Sequence, residues 1–112
     1  MKLSEYDIEC LEKARAIIDR DKRMHHTIEE IAQLVGMGAT RLKEGFRQYS
    51  GSGLYAYLHK KRMELALRLI EERRLTIKAI AKASGYKHTS NFTAAFKKRF
   101  GVTPGKWKVE CR

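Results

Sequence analysis

The 112-residue chain is short of most features that catalysis, secretion or membrane insertion would need. Its two cysteines, Cys10 and Cys111, stand near opposite ends and make no disulfide framework. No apolar run approaches the roughly 18 residues of a membrane-spanning helix. The opening MKLSEYDIEC is mixed in charge and lacks the continuous apolar core of a secretion signal. His25, His26, His59 and His88 are scattered, and with the cysteines they give no metal-ligand spacing. His25-His26 reads as an exposed loop pair ahead of a helix cap. A Gly-rich phosphate loop and a nucleophile elbow are both missing. These absences point to a soluble, cytoplasmic protein that is not an enzyme, with no catalytic residue, metal or cofactor. Strand-like alternation longer than a few residues is also missing, so the expected fold is all-α.

Anions are scarce too, and unevenly so. The chain holds 24 Lys+Arg against 13 Asp+Glu, a formal net charge of +11. Residues 1–26 balance six cations with six anions, so the excess lies in 27–112, at 18 against seven. Between Lys87 and Arg112 seven cations face Glu110 alone. Such a polarised field attracts a polyanion, nucleic acid before an anionic membrane. A hydrophobic content of 43% argues for a folded chain rather than a disordered tail. Its length suits one domain or two small subdomains, and is too short for a large enclosed active site.

What is present is helical and repeated. Ile8, Leu11, Ala14, Ile17 and Ile18 mark one side of a helix over about 4–20. Thr27 with Glu30 fits a capping box, Ile28, Ile31, Ala32 and Val35 form the next face, and Gly36 ends it. Leu42, Gly45, Phe46 and Tyr49 line the following helix, stopped by Ser50-Gly51. From Leu54 to about Arg74 no Gly or Pro interrupts, and Leu54, Tyr57, Leu58, Leu65, Ala66, Leu69 and Ile70 form an apolar stripe. Thr27, Ile28, Ile31, Ala32 and Gly36 then recur 49 positions later as Thr76, Ile77, Ile80, Ala81 and Gly85. Leu42, Phe46 and Gly51 recur 50 positions later as Phe92, Phe96 and Gly101, so the second turn holds one extra residue. Thr103-Pro104 opens a terminal helix. About seven helices follow: a first helix-turn-helix subdomain over 1–53, a long linker helix over 54–74, and a second helix-turn-helix with a short terminal helix over 75–112.

A helix-turn-helix offers its second helix to the major groove of DNA. Burying Leu42, Gly45, Phe46 and Tyr49 turns Thr40, Lys43, Glu44 and Arg47 outward; burying Phe92, Ala95 and Phe96 turns out Ser90, Thr93, Ala94 and Lys97. Each face has a small hydroxyl residue early and a cation later. Lys and Arg donate to guanine, and a Thr methyl packs on that of thymine. Lys87, His88, Lys98 and Arg99 lie beside the second face and suit phosphates. The like charges of Lys97-Lys98-Arg99 are tolerable against a phosphate backbone. A linker of about 20 residues spans roughly 30 Å, close to the roughly 34 Å between successive major grooves, so one monomer is expected to place both helices on one duplex.

The stretch GYKHTSNFTAAFKKRFGVTPGKW resembles the signature of AraC/XylS-type transcription regulators: G-[YF], Ser-x-Phe, F-K-K, F-G, and T-P before a terminal aromatic. TIEEIAQLVGMGATRLKEGFRQYSGSGLYAYL resembles the first motif of that family more weakly, and the likeness runs from about Ile8 to Lys108. The resemblance implies a seven-helix, two-subdomain DNA-binding domain of a bacterial, nucleoid-associated protein. It also implies promoter binding that usually activates transcription through RNA polymerase contacts. Base-reading positions carry over to Thr40, Lys43 and Glu44, and to Ser90, Thr93 and Ala94. With their neighbours, the candidate interface is Ala39, Thr40, Arg41, Lys43, Glu44 and Arg47 on the first recognition helix. On the second it is His88, Thr89, Ser90, Thr93, Ala94, Lys97 and Lys98. Two departures stand out. Ala94 stands where many members of the family have Arg, so base reading by the second motif is expected to be either weaker or shifted to Thr89, Ser90 and Lys97. Glu44 either accepts from cytosine N4 or pairs with Arg47 or Arg41. The effector-binding, dimerising domain of many relatives has no counterpart in these residues.

Two other readings of the same features remain. A non-specific basic nucleic-acid binder fits the charge but gives no reason for a repeated outward face. An αα-hairpin repeat packed only on itself fits the periodicity but not the charge bias.

Overall fold

The computed structural model describes residues 2–20 and 26–110, except the side chain of Glu110. His25 and Cys111 therefore lie outside the described residues. Seven helices occur among the described residues, and no strand. They are α1 (Glu5–Arg20), α2 (Ile28–Val35), α3 (Ala39–Ser50), α4 (Leu54–Glu72), α5 (Ile77–Ala83), α6 (Thr89–Phe100) and α7 (Pro104–Glu110). Contacts divide them into two compact units, one of 2–20 with 26–59 and one of 60–110, so residues of α4 fall in both.

Caps set the helix boundaries. The Thr27 hydroxyl accepts the Glu30 N–H at 3.1 Å and donates to the Glu30 carboxylate at 3.2 Å. Thr76 accepts the Ala79 N–H at 3.1 Å, and Thr103 accepts the Lys106 N–H at 3.2 Å. Gly36 and Gly85 adopt φ of 78° and 89°, the left-handed conformation that glycine enters without a Cβ penalty. Beyond each, an apolar residue closes the turn: Met37 N–H donates to the Ala32 carbonyl and Tyr86 N–H to the Ala81 carbonyl, both at 3.0 Å. These six-to-one bonds satisfy carbonyls that the helix end would otherwise orphan. The repeat read from the sequence thus holds at the level of individual hydrogen bonds.

In the first unit α1 packs on α2 and α3, burying Leu11, Ala14 and Ile18 with Ile28, Ile31, Ala32, Leu42 and Phe46. In the second, Met63, Ala66 and Ile70 of α4 share a core with Ile80, Ala81, Phe92 and Phe96. Leu11, Ala14 and Ile18 recur 52 positions later as Met63, Ala66 and Ile70, and all six are at most 1% exposed. The repeat is therefore three helices deep, where the sequence showed two. The Arg62 guanidinium, 5.9 Å from the Tyr86 ring centroid, flanks this core, and burial pushes its pKa below the ordinary value.

Several expectations are corrected. Tyr49 is 38% exposed rather than buried, since the aromatic partner of Phe46 is Tyr57, at 5.4 Å between centroids. Leu65 and Leu69 are half-buried, while Met63, outside the stripe read from the sequence, is fully buried beside Ala66 and Ile70. The linker helix stops at Glu72 rather than near Arg74. Arg73 turns left-handed at φ 58°, and its guanidinium donates to the Lys108 carbonyl at 3.0 Å, tying the helix end to α7. His26 is half-buried, with Nδ1 3.6 Å from a Glu30 carboxylate oxygen, rather than exposed.

Candidate nucleic-acid interface

Each recognition helix has twelve residues, and the two superpose in sequence at a fifty-residue offset: Ala39–Ser50 and Thr89–Phe100. On α3, burial of Leu42, Gly45 and Phe46 fixes the rotation and leaves Thr40, Lys43, Glu44 and Arg47 exposed on the opposite side. Ala39 is half-buried at the helix start. On α6, burial of Phe92 and Phe96 leaves Ser90, Ala94, Lys97 and Lys98 exposed, with Thr89 and Thr93 half-buried and His88 exposed at the N-cap. Within each unit the central candidates share one helix face, Thr40, Lys43, Glu44 and Arg47 on α3 and Ser90, Thr93, Ala94 and Lys97 on α6, with Ala39, Arg41 and Thr89 on the flanks.

The cationic end of α6 has a local reason as well. Lys97, Lys98 and Arg99 occupy its last turn, where helix carbonyls point outward and favour positive charge. All three are exposed, so water can solvate them until an anion replaces it. On α3 the last-turn cation is Arg47.

Arg41 is the candidate whose surroundings the sequence did not foresee. Its Nε donates to Asp7 Oδ1 at 3.0 Å and its Nη2 to Asp7 Oδ2 at 2.5 Å, across 34 positions of sequence. Asp7 in turn belongs to a cap on α1: it accepts the Ser4 N–H at 2.9 Å, while Ser4 Oγ accepts the Asp7 N–H at 3.1 Å. The Arg41 guanidinium, then the Ser4 N–H, hold the Asp7 carboxyl well below the usual carboxylate range. Hydrogen bonding to Asp7 raises the Arg41 pKa, with a smaller contribution from the charge of Glu44. The Ser4-x-x-Asp7 spacing ahead of an apolar run was a readable cap signal. The long-range pairing with Arg41 was not readable.

Among the described residues no group of His, Cys, Asp and Glu could hold a metal ion, and no helix is long and apolar enough to cross a membrane.

A family of helix-turn-helix domains matches residues 31–109. Similar in sequence is the RCS-specific HTH-type transcriptional activator RclR of Escherichia coli, 33% identical over 86 residues, 77% of this chain. An AraC-like transcription regulator of Streptomyces lividans is 30% identical over 95 residues, 85% of this chain. The chain spans 30% and 31% of the length of these two relatives. In three dimensions it is similar to the C-terminal domain of AraT, a response regulator from Geobacillus stearothermophilus. There the TM-score is 0.79 at 28% identity, covering 97% of this chain and 88% of that one. The DNA-binding domain of AdpA, solved in complex with a target DNA, shares the fold at TM-score 0.78 and 19% identity, covering 90% of each chain. The chain belongs to the AraC-type family of DNA-binding helix-turn-helix transcription regulators.

Proposed function

We propose that the chain reads specific promoter sequences in double-stranded DNA and activates transcription there, with α3 and α6 entering major grooves of one duplex. The observation that carries this reading is the repeated outward face. Thr40, Lys43, Glu44 and Arg47 on α3 correspond to Ser90, Thr93, Ala94 and Lys97 on α6, and every one is exposed except the half-buried Thr93. Short side chains near each helix start let the backbone approach base edges, and later cations donate to guanine or phosphate. Because the two faces differ, the site has two unlike halves. The absence of a long donor at Ala94 makes α6 the weaker base reader. An activating role is supported by the likeness to RclR, itself named a transcriptional activator; contacts to RNA polymerase are the means this reading assigns to it.

Selection of bound duplexes from a random library at about 0.15 M salt tests the reading. Two short, unlike motifs centred about 10 base pairs apart are expected. One motif alone reduces α6 to a phosphate grip. No enrichment replaces the proposal with a non-specific basic binder, whose affinity depends on salt rather than sequence. Lys97→Ala is expected to weaken binding several-fold and to lower the salt slope by roughly 0.9. An unchanged slope removes Lys97 from the interface.

A further inference from the structure

Arg41 pairs with Asp7 through one side of its guanidinium, Nε and Nη2. A guanidinium carries five N–H donors in a rigid planar fork. Nη1 and the second Nη2 hydrogen therefore stay available on the terminal edge, and they meet no acceptor among the described residues. The two ends of the pair differ in exposure: the Asp7 side chain keeps 7% of its surface and Arg41 keeps 48%. Asp7 is itself fixed by the reciprocal cap with Ser4. The result is a cation held by a buried carboxylate while about half of its own side chain stays exposed. It sits about 100° around α3 from Thr40, on the flank of the reading face rather than at its centre. Phosphates border a groove on its flanks, and Arg meets them best in bidentate geometry.

We propose that Asp7 is a positioning residue for DNA binding, locking Arg41 so that its free edge grips one backbone phosphate and sets the register of α3 on the duplex. This rests on α3 being a groove-entering helix. Phosphate contacts orient a protein without reading bases, so the clamp acts on specificity by holding Thr40, Lys43 and Glu44 at a fixed height over the base edges. A side chain already ordered in the free protein also loses less rotamer freedom on binding. In the second unit the position of Arg41 belongs to Asn91, which carries no charge. The clamp is therefore a property of the first recognition helix.

The test compares wild type, Asp7→Asn, Arg41→Lys and the double variant, each checked for folding by circular dichroism, on the selected duplex and on a scrambled duplex of equal length. Asp7→Asn adds a net positive charge, so charge alone predicts tighter binding everywhere. The clamp predicts instead that the preference for the selected over the scrambled duplex falls about tenfold, the loss of one charge-assisted contact. Arg41→Lys keeps the charge but not the fork, so it should lose as much, and the double variant little more. Equal tightening on both duplexes by Asp7→Asn would show Asp7 to be a mere restraint on a cation, and the proposal would be wrong. A lowered melting temperature with an unchanged preference would make the pair purely structural, which overturns it as well. Should Asp7→Asn fail to fold, Arg41→Lys decides by itself. If selection yields no preferred duplex, specific reading fails first. Arg41→Gln on an arbitrary duplex then decides the grip, a salt slope lower by about 0.9 supporting it and an unchanged slope sinking it.

Discussion

Along α3 the first unit sets Leu42, Gly45 and Ser50 where the second sets Phe92, Ala95 and Phe100 along α6. The first helix is slimmer, and α1 approaches it closely: a Cβ on Gly45 would lie 3.4 Å from Leu11 Cδ1 and 3.5 Å from Leu3 Cδ2. The second fills the corresponding space with rings. Phe96 packs at 4.6 Å between centroids from Phe100, 6.0 Å from Phe92 and 6.2 Å from Trp107, while Tyr86 meets Phe92 at 5.6 Å. The first unit adds polar bonds from α1 to its helix-turn-helix, Arg41 to Asp7 and the Tyr6 hydroxyl to the Gly36 carbonyl at 2.8 Å. The same three-helix arrangement therefore tolerates a largely aliphatic core around the single buried ring of Phe46 or a core built from several packed rings, provided the buried positions recur. Position carries the fold, and side-chain identity carries how each unit is held.

The sharpest way to break this contrast is Phe96→Ala. Phe96 is fully buried and its ring packs against those of Phe92, Phe100 and Trp107, so its truncation is expected to cost about 3–5 kcal/mol and unfold the second unit. Full retention of helical circular dichroism and melting temperature would refute the aromatic account. Next in size is Gly36→Ala. A Cβ there stands 2.8 Å from the Tyr6 hydroxyl at φ +78°, so strain of roughly 1–2 kcal/mol should fall on the first unit. Chemical denaturation would show it as an early transition confined to that unit.

Acid sharpens the polar side of the comparison. The folded-state pKa of Asp7 is depressed, so its stabilisation is complete above the unfolded carboxylate pKa of about 4 and is lost as pH falls below it. The melting temperatures of wild type and Asp7→Asn should accordingly differ most at pH 6, and the gap should begin to narrow below about pH 4 and close only as pH falls through the depressed folded-state value. A constant gap would mean that the carboxylate charge does not matter to the pair. The smallest effect is expected for Gly45→Ala, which borrows the Ala95 of the second unit. The added methyl would meet Leu11 at 3.4 Å, an ordinary carbon–carbon contact, so the gain from a less flexible unfolded chain, about 0.4–1 kcal/mol, should appear as a raised melting temperature.

Much of the fold was legible because its signals are local. Thr27 and Thr76 announce helix starts, Gly36, Gly51, Gly85 and Gly101 announce stops, and the spacing of Phe92 and Phe96 sets which face of α6 turns outward. What was missed depends on partners far along the chain. Tyr49 looked buried because periodicity cannot tell which of two neighbouring aromatics, Tyr49 or Tyr57, will take the place beside Phe46. Arg73 carries no breaker residue, and its left-handed turn is held by a carbonyl 35 positions away. The third helix of the repeat was hidden because its offset is 52 where the later helices recur at 49 and 50. Of the candidate site, the outward faces followed from the buried ones, while the engagement of Arg41 by Asp7 followed from nothing local.

The way α4 is shared makes the chain unequally divisible. A fragment beginning at Leu54 keeps Met63, Ala66 and Ile70 together with every core partner named for the second unit. A fragment ending at Gly53 loses Leu54 and Leu58, both buried, and with them Tyr57, which stacks against Phe46, lies 5.7 Å below the Arg15 guanidinium and donates to Asp19. A protease that nicks the chain just ahead of α4 would thus leave a durable C-terminal half and an N-terminal half stripped of part of its own interior.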